Sequence, residues 1–366
     1  MKLLELHNTK NMNTKMNEIL KFAVEKGASD VHLIYDVLPK IRVNGELLNI
    51  PGFEVVDSAL NNQMVLSLLD EDQLKVFNKE KDLDFSFEAV GIRFRANVYL
   101  QKNNPACALR LISSKIPDFD ELSIPEILKN FTKYKQGFIL VTGPTGHGKS
   151  TTVAAMLEEI NQNIGGHMVT IEDPVEYLIK PEKAIISQRE MGGDTNSFAL
   201  SLRSCLRQDP NVVFLGEMRD LESTSSALTI AETGHLVFSV LHTNSAAQTI
   251  DRIIDIFPPG AKEQIRVQLA MVVTAIVSQR LVPAIGGGRI PAFEILVATP
   301  AVRNVIREGK SFMIDNIIQT SSDVGMISLD NYLAKLVLAG KITEEVAINY
   351  SVNPVELQNK LRRQKI

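Results

Sequence analysis

Cysteine is scarce in this sequence of 366 residues, and tryptophan is absent. The two cysteines, Cys107 and Cys205, stand far apart and form no CxxC pair. This spacing excludes a disulfide framework and a four-cysteine zinc site, and it is typical of proteins from a reducing compartment. The net charge of −4 is unfavourable for a protein that coats nucleic acid, so we expect no direct nucleic-acid partner.

Long hydrophobic runs are also missing. The stretch 1–20 lacks an uninterrupted apolar core and therefore does not look like a signal peptide. The longest apolar stretch, 269–277, falls well short of the roughly 20 residues that a membrane-spanning helix needs. We therefore expect a cytoplasmic protein without a transmembrane segment, which would lie at the inner face of the membrane through partner proteins.

The length and the hydrophobic pattern favour two domains, because the chain is longer than one hydrophobic core usually serves. Residues 1–115 are predicted to form a smaller mixed α+β domain. Residues 116–366 alternate strands with helices, which is typical of an α/β domain with a mostly parallel sheet. Its strand candidates are GFILVT, HMVTIE, NVVFLGE, HLVFSVL and FEILVAT. The acidic, proline-containing stretch 113–125 is the predicted linker.

Arginines alternate with apolar residues late in the first domain. The segment GIRFRANVYLQ predicts a strand with one inward face and with Arg93 and Arg95 on the open face. In the next strand, CALRLI, Arg110 lies on the face opposite to the apolar residues. The inward residues of the first of these strands are Ile92, Phe94, Ala96, Val98 and Leu100.

Residues 143–150, GPTGHGKS, match the pattern G-x4-G-K-[ST] between a predicted strand and a predicted helix. Glycines allow successive backbone N–H groups to converge on one anion, and the helix N-terminus adds its positive end. We predict that this loop binds ATP, that Lys149 reaches the β and γ phosphates, and that Ser150 ligates Mg²⁺; His147 would contribute mainly through its backbone. The alternative is a glycine-rich turn with a chance lysine. The predicted nucleotide-binding residues are Gly143, Pro144, Thr145, Gly146, His147, Gly148, Lys149, Ser150 and Thr151.

A glutamate ends the later strand candidate NVVFLGE. Cleavage of the γ-phosphate needs a carboxylate that positions water. Glu217 is well placed for this task at the carboxyl end of a strand that we expect beside the one leading into the loop. The alternative is that Glu217 caps the helix that starts near Leu221.

Three further carboxylates, Glu172, Asp173 and Glu176, follow the strand candidate HMVTIE. Their mutual repulsion would be costly unless a cation lies nearby, and Mg²⁺ is the obvious candidate. We therefore predict that Glu172 and Asp173 assist Ser150 in holding the metal, directly or through water. The alternative is a solvated acidic turn shaped by Pro174.

Two histidines, His235 and His242, bracket the strand candidate HLVFSVL seven residues apart. This odd separation puts them on opposite faces and near opposite ends, so they cannot form a simple two-histidine metal pair. His242 ends the strand at the edge where the nucleotide should bind. His235 is either a functional residue or a core histidine with satisfied hydrogen bonds.

The order of these motifs resembles the secretion and type IV pilus ATPases. The residues that carry the resemblance are the loop, TIEDPVEY, LRQDPNVVFLGEMRD and AETGHLVFSVLHTNSA, together with ASDVHL and VRNVIREGK, so that it covers nearly the whole chain. It implies a RecA-like P-loop ATPase core, a smaller PAS-like N-terminal domain, a homo-hexameric ring and Mg²⁺-dependent hydrolysis of ATP. The catalytic residues that it implies are Glu217, Glu176, His242, His235, Arg95 and Arg110.

The resemblance also assigns the parts of this family's site. Its Walker A motif falls on Gly148, Lys149 and Ser150, its Walker B glutamate on Glu217, its acidic box on Glu172, Asp173 and Glu176, and its histidine box on His235 and His242. Arginines of the N-terminal domain reach nucleotide that another domain holds. Arg95 and Arg110 match them, with Arg93 as a weaker third. The alternative is a set of arginines on a solvated face.

Within the family, the short chain and the lack of a four-cysteine motif favour a motor for type IV pilus retraction and twitching motility. Its partners would be the inner-membrane platform and the pilin machinery, with 113–125 as the hinge and 302–310 and 325–342 as the output surface. A related assembly or secretion ATPase is the alternative. Three further readings stay open: a nucleic-acid translocase, an ATP-sensing scaffold and a paralogue that moves other fibres.

Overall fold

The computed structural model describes residues 12–43, 45–112, 115–218 and 220–364. For residue 364 it describes the backbone alone. The chain divides into two compact units, Met1–Lys115 and Ile116–Ile366. Residues 113 and 114 of the predicted linker lie outside the described residues. Within the described residues, no helix has the length and apolar character needed to cross a bilayer.

The first unit is an antiparallel sheet accompanied by helices. The helices are α1 (Thr14–Glu25), α2 (Ser58–Leu66) and α3 (Glu71–Glu80), and the strands are β1 (Asp30–Leu33), β2 (Lys40–Val43), β3 (Glu46–Asn49), β4 (Asp82–Ala89), β5 (Ile92–Gln101) and β6 (Asn104–Ile112). The strand order is β3-β2-β1-β6-β5-β4. All neighbouring strands of this sheet pair antiparallel.

The alternation predicted for β5 is confirmed over its central part, where Phe94, Ala96 and Val98 are fully buried in the core of the first unit. It is wrong for Leu100, whose exposed fraction is 37%. Leu100 lies beside the turn that leads into β6, where the strand extends past the apolar core. The packing of a strand residue therefore depends on what covers it as well as on its face.

The second unit begins with α4 and β7 and ends with a group of helices. Its helices are α4 (Glu126–Phe131), α5 (Lys149–Asn163), α6 (Phe198–Cys205), α7 (Leu221–Glu232), α8 (Ala246–Asp255), α9 (Lys262–Val272), α10 (Pro300–Arg307), α11 (Ile314–Thr320), α12 (Leu329–Leu338), α13 (Glu344–Tyr350) and α14 (Pro354–Gln364). Its strands are β7 (Gly137–Thr142), β8 (Gly166–Glu172), β9 (Ala184–Glu190), β10 (Val212–Leu215), β11 (Leu236–Leu241), β12 (Val273–Pro283) and β13 (Arg289–Val297). Short 3₁₀ turns occupy Pro259–Ala261, Ser311–Met313 and Ser322–Val324.

The sheet of the second unit has the strand order β13-β12-β7-β11-β10-β8-β9. Every pairing is parallel except that of β12 with β13. Strands β7, β10 and β11 are buried along their whole length, as their unbroken apolar runs predict. The expectation that Glu217 follows a strand next to β7 is wrong, because β11 lies between β7 and β10.

Helices cover both faces of this sheet. One core lies under α6 to α11, and the other lies under α4 and α5. Phe119 and Ile124 belong to the second of these cores, with exposed fractions of 7% and 8%. The described part of the predicted linker is therefore packed on the sheet of the second unit and is not a loose connection over its whole length.

Candidate nucleotide-binding site

The loop 143–148 connects the end of β7 to the start of α5, as the sequence pattern predicts. Its glycines have φ angles of 142° at Gly143, 77° at Gly146 and 78° at Gly148. Residues that carry a Cβ rarely adopt such angles. A Cβ on Gly143 would also lie 2.2 Å from the backbone oxygen of Gln279. The loop is thus curled ahead of a helix N-terminus, an arrangement that suits a phosphate group. We call residues 143–148 the cradle.

Lys149 is the first residue of α5, and it is buried with an exposed fraction of 6%. Its Nζ donates a hydrogen bond of 2.8 Å to the backbone oxygen of Pro144, so the side chain folds back over the cradle. Burial lowers the pKa of Lys149 to about 8, which the carboxylate of Glu217 partly opposes. A buried cation that is short of counter-charge is stabilised by an incoming anion, so this lysine fits a phosphate ligand.

His242 follows β11 and lies between Lys149 and Glu217. Its Nδ1 is 3.3 Å from Lys149 Nζ and 3.3 Å from Thr145 Oγ1. Its Nε2 is 3.4 Å from Oε1 of Glu217. With its hydrogen on Nε2, the imidazole accepts from Lys149 and faces Glu217 with an N–H group. The ends of β7, β10 and β11 therefore bring a lysine, a histidine and a glutamate into one row.

Glu217 does not cap the helix that follows it. The N-cap of α7 is Asp220, whose Oδ1 accepts a hydrogen bond of 2.8 Å from the backbone N–H of Ser223. The capping interpretation of Glu217 is therefore wrong, and its carboxylate faces His242 at the carboxyl edge of the sheet. This is the edge at which parallel α/β sheets bind their ligands.

The three carboxylates after β8 are separated and do not form one cluster. Glu172 is buried and accepts a hydrogen bond of 2.7 Å from Thr170 Oγ1, whereas Asp173 and Glu176 are exposed. Burial raises the pKa of Glu172 to about 7. Glu176 still raises the pKa of Glu172 slightly, so some repulsion remains between these two carboxyls. The role of Glu172 and Asp173 in holding Mg²⁺ stays a prediction. Within the part of the chain that the structure describes, no group of three or more His, Cys, Asp or Glu is arranged to hold a metal.

The residues around the cradle do fit Mg²⁺ as an ion carried with a phosphate. Ser150 offers a hydroxyl in the first turn of α5, and Glu217 offers a carboxylate at the same edge of the sheet. Oxygen ligands of this kind, completed by phosphate oxygens and water, are what Mg²⁺ prefers in phosphate sites. The hydroxyl of Thr151 lies 2.9 Å from that of Tyr177. This contact connects α5 to residues 172–177, the segment that carries Glu172, Asp173 and Glu176.

Strand β12, which the sequence did not predict, also supports the cradle, and so does β13, of which the sequence predicted only the stretch FEILVAT. Gln279 on β12 donates a hydrogen bond of 2.9 Å from Nε2 to the backbone oxygen of His147, and Arg289 on β13 donates one of 3.3 Å to that of Gly146. The backbone N–H of Leu281 donates to His147 Nδ1 over 2.9 Å. The ring of His147 thus also binds β12, and the expectation that His147 contributes to nucleotide binding mainly through its backbone stays a prediction.

His147 keeps the form that this contact needs. Its Nδ1 accepts a hydrogen bond, which a protonated imidazole cannot do. Burial lowers the pKa of His147, and the nearby charges of Arg289, Lys149 and Arg280 lower it further. Burial first, and then the positive charges around the cradle, thus favour the neutral form of the ring.

His235 is not brought to the cradle. It directly precedes β11, so about 23 Å of extended chain separate it from His242. Its Nδ1 lies 3.1 Å from the backbone oxygen of Ile230 and 3.0 Å from Thr233 Oγ1 at the end of α7. Within one subunit these contacts favour the structural interpretation of His235, and its catalytic role stays a prediction.

Arg95 and Arg110 belong to the first unit, where they face each other directly across β5 and β6. Arg110 Nε donates a hydrogen bond of 3.1 Å to Oδ1 of Asp30, and the Arg110 side chain is 68% exposed. Like charges in directly opposed positions destabilise a sheet unless an anion lies between them. Arg93 lies two positions away, opposite Ile112.

The chain can now be compared with known proteins. The family described as type II/IV secretion system protein matches residues 5–288. The chain belongs to this family. A secretion-family relative from Pseudomonas aeruginosa, named type IV pilus retractation ATPase PilT, is 44% identical over 91% of this chain and 96% of its own. A protein from Neisseria gonorrhoeae named twitching motility protein is 45% identical over 84% of this chain and 83% of its own.

A solved structure of the secretion family also resembles this chain. The crystal structure of the pilus retraction motor PilT and bound ADP superposes with a TM-score of 0.88 at 45% identity, and the match covers 93% of this chain and 98% of the other. The likeness confirms the predicted fold class, an α/β ATPase core with a smaller mixed α+β domain before it.

Proposed function

We propose that this protein is a motor ATPase that hydrolyses ATP to drive type IV pilus retraction. The observation that carries the proposal is the row formed by Lys149, His242 and Glu217 above the cradle. It joins the group that binds phosphate to the group that orients water. The name of the 44% identical relative from Pseudomonas aeruginosa and the ADP in the related crystal structure support the same conclusion.

The chain's own residues divide the work of hydrolysis. The N–H groups of the cradle and the Lys149 ammonium bind the β and γ phosphates. Glu217 orients the attacking water, and the N–H of His242 holds the Glu217 carboxylate in place. Ser150 would hold Mg²⁺, which would supply positive charge beside the phosphate oxygens. Lys149 Nζ contacts His242 Nδ1, and His242 directly follows β11. Loss of the γ-phosphate would therefore change the contacts of His242 at the end of β11.

Force requires a second element that senses the nucleotide. We propose that the protein works as a homo-hexamer in which Arg95 and Arg110 contact nucleotide held by another copy. Their directly opposed positions support this role, since a polyphosphate placed between them relieves the repulsion of the two guanidinium groups. ATP would then favour a closed arrangement of units, and loss of phosphate would weaken it.

In the cell, the motor would act from the cytoplasm on an inner-membrane platform that holds the pilin machinery. The proposed output surface, 302–310 and 325–342, begins within α10 and is followed after 310 by the turn Ser311–Met313. Three residues of α10 are committed to the core, namely Val302, Val305 and Ile306. Phe312 of the turn, by contrast, is 75% exposed, so an aromatic side chain is available to a partner at this place.

Replacement of Glu217 by glutamine tests the chemical step. The amide keeps the size of the side chain but cannot accept a proton, so we expect turnover of ATP to fall about 100-fold or more while ATP binding is retained. The matched control is Glu263→Gln, an exposed position in the first turn of α9. Unchanged turnover in the Glu217 variant would refute hydrolysis at this site and favour an ATP-sensing scaffold.

Deletion of the gene in its host tests the direction of movement. A retraction motor predicts that pili accumulate on the cell surface while twitching movement is lost, because assembly continues without its opposing step. Electron microscopy of surface pili provides the measurement. Disappearance of the pili would contradict retraction and favour the assembly alternative.

A further inference from the structure

The amide of Gln279 lies beneath the cradle and is nearly inaccessible, with an exposed fraction of 2%. It projects from β12, which pairs with β7, the strand that leads into the cradle. No sequence pattern pointed to it, because glutamine has no place in the phosphate-binding motif itself. A buried amide must satisfy both its donor and its acceptor groups or lower the stability of the fold.

Gln279 satisfies these groups with two different segments. Its Nε2 donates to the backbone oxygen of His147 in the cradle over 2.9 Å. Its Oε1 accepts a hydrogen bond of 2.6 Å from Oγ1 of Thr152, which lies buried in α5. The side chain thus joins the last turn of the cradle to the helix whose N-terminus faces the phosphate.

The backbone of β12 fixes the other parts of the cradle. The backbone oxygen of Gln279 lies only 2.2 Å from the position that a Cβ of Gly143 would take, so the chain at Gly143 packs directly against β12. Two residues further along, the N–H of Leu281 holds the ring of His147. One strand therefore contacts both the beginning and the end of the cradle, with Gln279 between.

We propose that Gln279 is a positioning residue for phosphate binding: it holds the His147 peptide and α5 in the relative orientation that directs the cradle's N–H groups at one anion. A glycine-rich loop without such support would occupy many conformations. The entropy lost in ordering that loop would lower the affinity for any nucleotide that binds there. Gln279 orders the loop before nucleotide arrives. The inference rests on the proposed binding of nucleotide by the cradle.

The first measurement is the affinity of the full-length chain for ADP by titration calorimetry, without Mg²⁺, in three variants. Gln279→Met keeps the length of the side chain and removes both hydrogen bonds. Thr152→Val removes one of them. Gln268→Met is the control, since Gln268 is half-buried on α9 and its side chain donates a hydrogen bond to Glu232 of α7, not to the cradle. We expect ADP to bind about tenfold more weakly to the Gln279 variant, about threefold more weakly to the Thr152 variant and unchanged to the control.

The double variant of Gln279 and Thr152 separates positioning from general damage. Because both residues act through one hydrogen-bonded unit, the double variant should bind ADP no more weakly than the Gln279 variant alone. The thermal midpoint of each unliganded variant is recorded in parallel. A merely structural role would lower that midpoint and leave the ADP affinity of the folded protein unchanged.

Three results would overturn the inference. They are an ADP affinity of the Gln279 variant within twofold of the parent, full additivity in the double variant, and, if the Gln279 variant does not fold, an unchanged affinity in the Thr152 variant. Failure of the parent itself to bind ADP would instead overturn the proposed function. The two failures are therefore distinguishable.

Discussion

The cradle and the arginine pair of the first unit are both proposed to bind phosphate, but they differ in their surroundings. At the cradle, backbone curvature, a buried lysine and the Lys149–His242–Glu217 row converge on one place. The arginine pair presents positive charge on an open strand face, with Arg110 68% exposed and held by Asp30. The first region has the groups needed for chemistry, whereas the second has only groups that sense charge.

This difference indicates how one ligand can serve two purposes. A phosphate site confined to one unit can bind ATP without transmitting its cleavage to another subunit. A pair of guanidinium groups supplied by another copy would respond to the cleavage, because its attraction to the ligand depends on how many phosphates are present. The proposed motor needs both regions, and the predictions below test each of them against the other.

The largest effect is expected from removing the arginine pair. In assembled rings, replacing Arg95 and Arg110 together by alanine should reduce ATP turnover about 1,000-fold, in the range typical of arginines that stabilise a transferring phosphoryl group from another subunit. Binding of ADP should change little, since the cradle is intact. Turnover is measured by phosphate release at a protein concentration at which rings are present.

The matched control is Arg252→Ala, which removes an exposed arginine from the last turn of α8. It should leave turnover unchanged. Undiminished turnover in the Arg95 and Arg110 variant would contradict their proposed role. It would favour the alternative interpretation, in which these arginines lie on a solvated face and do not contact nucleotide.

A smaller effect is expected from replacing His242, which lies beside the cradle. Replacement by asparagine keeps a polar side chain but is too short to contact Lys149 and Glu217 at the same time. We expect the turnover number to fall about tenfold with little change in ADP affinity, because the group that positions the water is loosened and the phosphate ligands remain. Single-turnover kinetics separate this loss from product release.

His235 provides the contrast for that experiment. It bonds the end of α7 at the far end of the same strand, so His235→Asn should lower the thermal midpoint more than it lowers turnover per folded ring. A tenfold loss of turnover with an unchanged midpoint would show instead that His235 acts in catalysis, as the resemblance to the family implies.

Much of the site could be predicted from sequence because its residues lie at the ends of buried strands. Lys149, Glu217 and His242 each follow an apolar run, and parallel strands deliver their carboxyl ends to one edge. The order of the strands could not be predicted this way. The order depends on which helices cross over which strands. In the structure, β11 lies between β7 and β10, which we expected to be neighbours.

The support of the cradle was missed for a different reason. Strand β12 continues directly from α9, so that the apolar run 269–277 belongs partly to a helix and partly to a strand. Periodicity cannot separate these two states in a short apolar segment. Gln279 was therefore missed as part of the site, and the contact of the His147 ring with β12 was missed with it. Arg289 lies on β13 ahead of the predicted stretch FEILVAT, and no sequence pattern connected it with the cradle.

The smallest effect concerns Glu172, whose burial distinguishes it from the exposed carboxylates beside it. Its pKa is raised from an ordinary value near 4.5 to about 7 by burial. Between these values the unfolded chain releases this proton and the folded chain keeps it, so folding stability falls as pH rises from about 4.5 to 7 and then levels off. The loss contributed by this group is about 3 kcal/mol at pH 8.

Replacing Glu172 by glutamine removes this dependence while keeping an oxygen that accepts from Thr170. Urea unfolding should find the variant about as stable as the parent at pH 4.5 and more stable by about 1–3 kcal/mol at pH 8. The similar dependence contributed by buried Glu294, whose pKa burial also raises to about 7, remains in both proteins and cancels in the comparison. Equal stability at pH 8 would contradict this prediction and would mean that the folded site accommodates the charged carboxylate, as a cation bound beside Glu172 would allow.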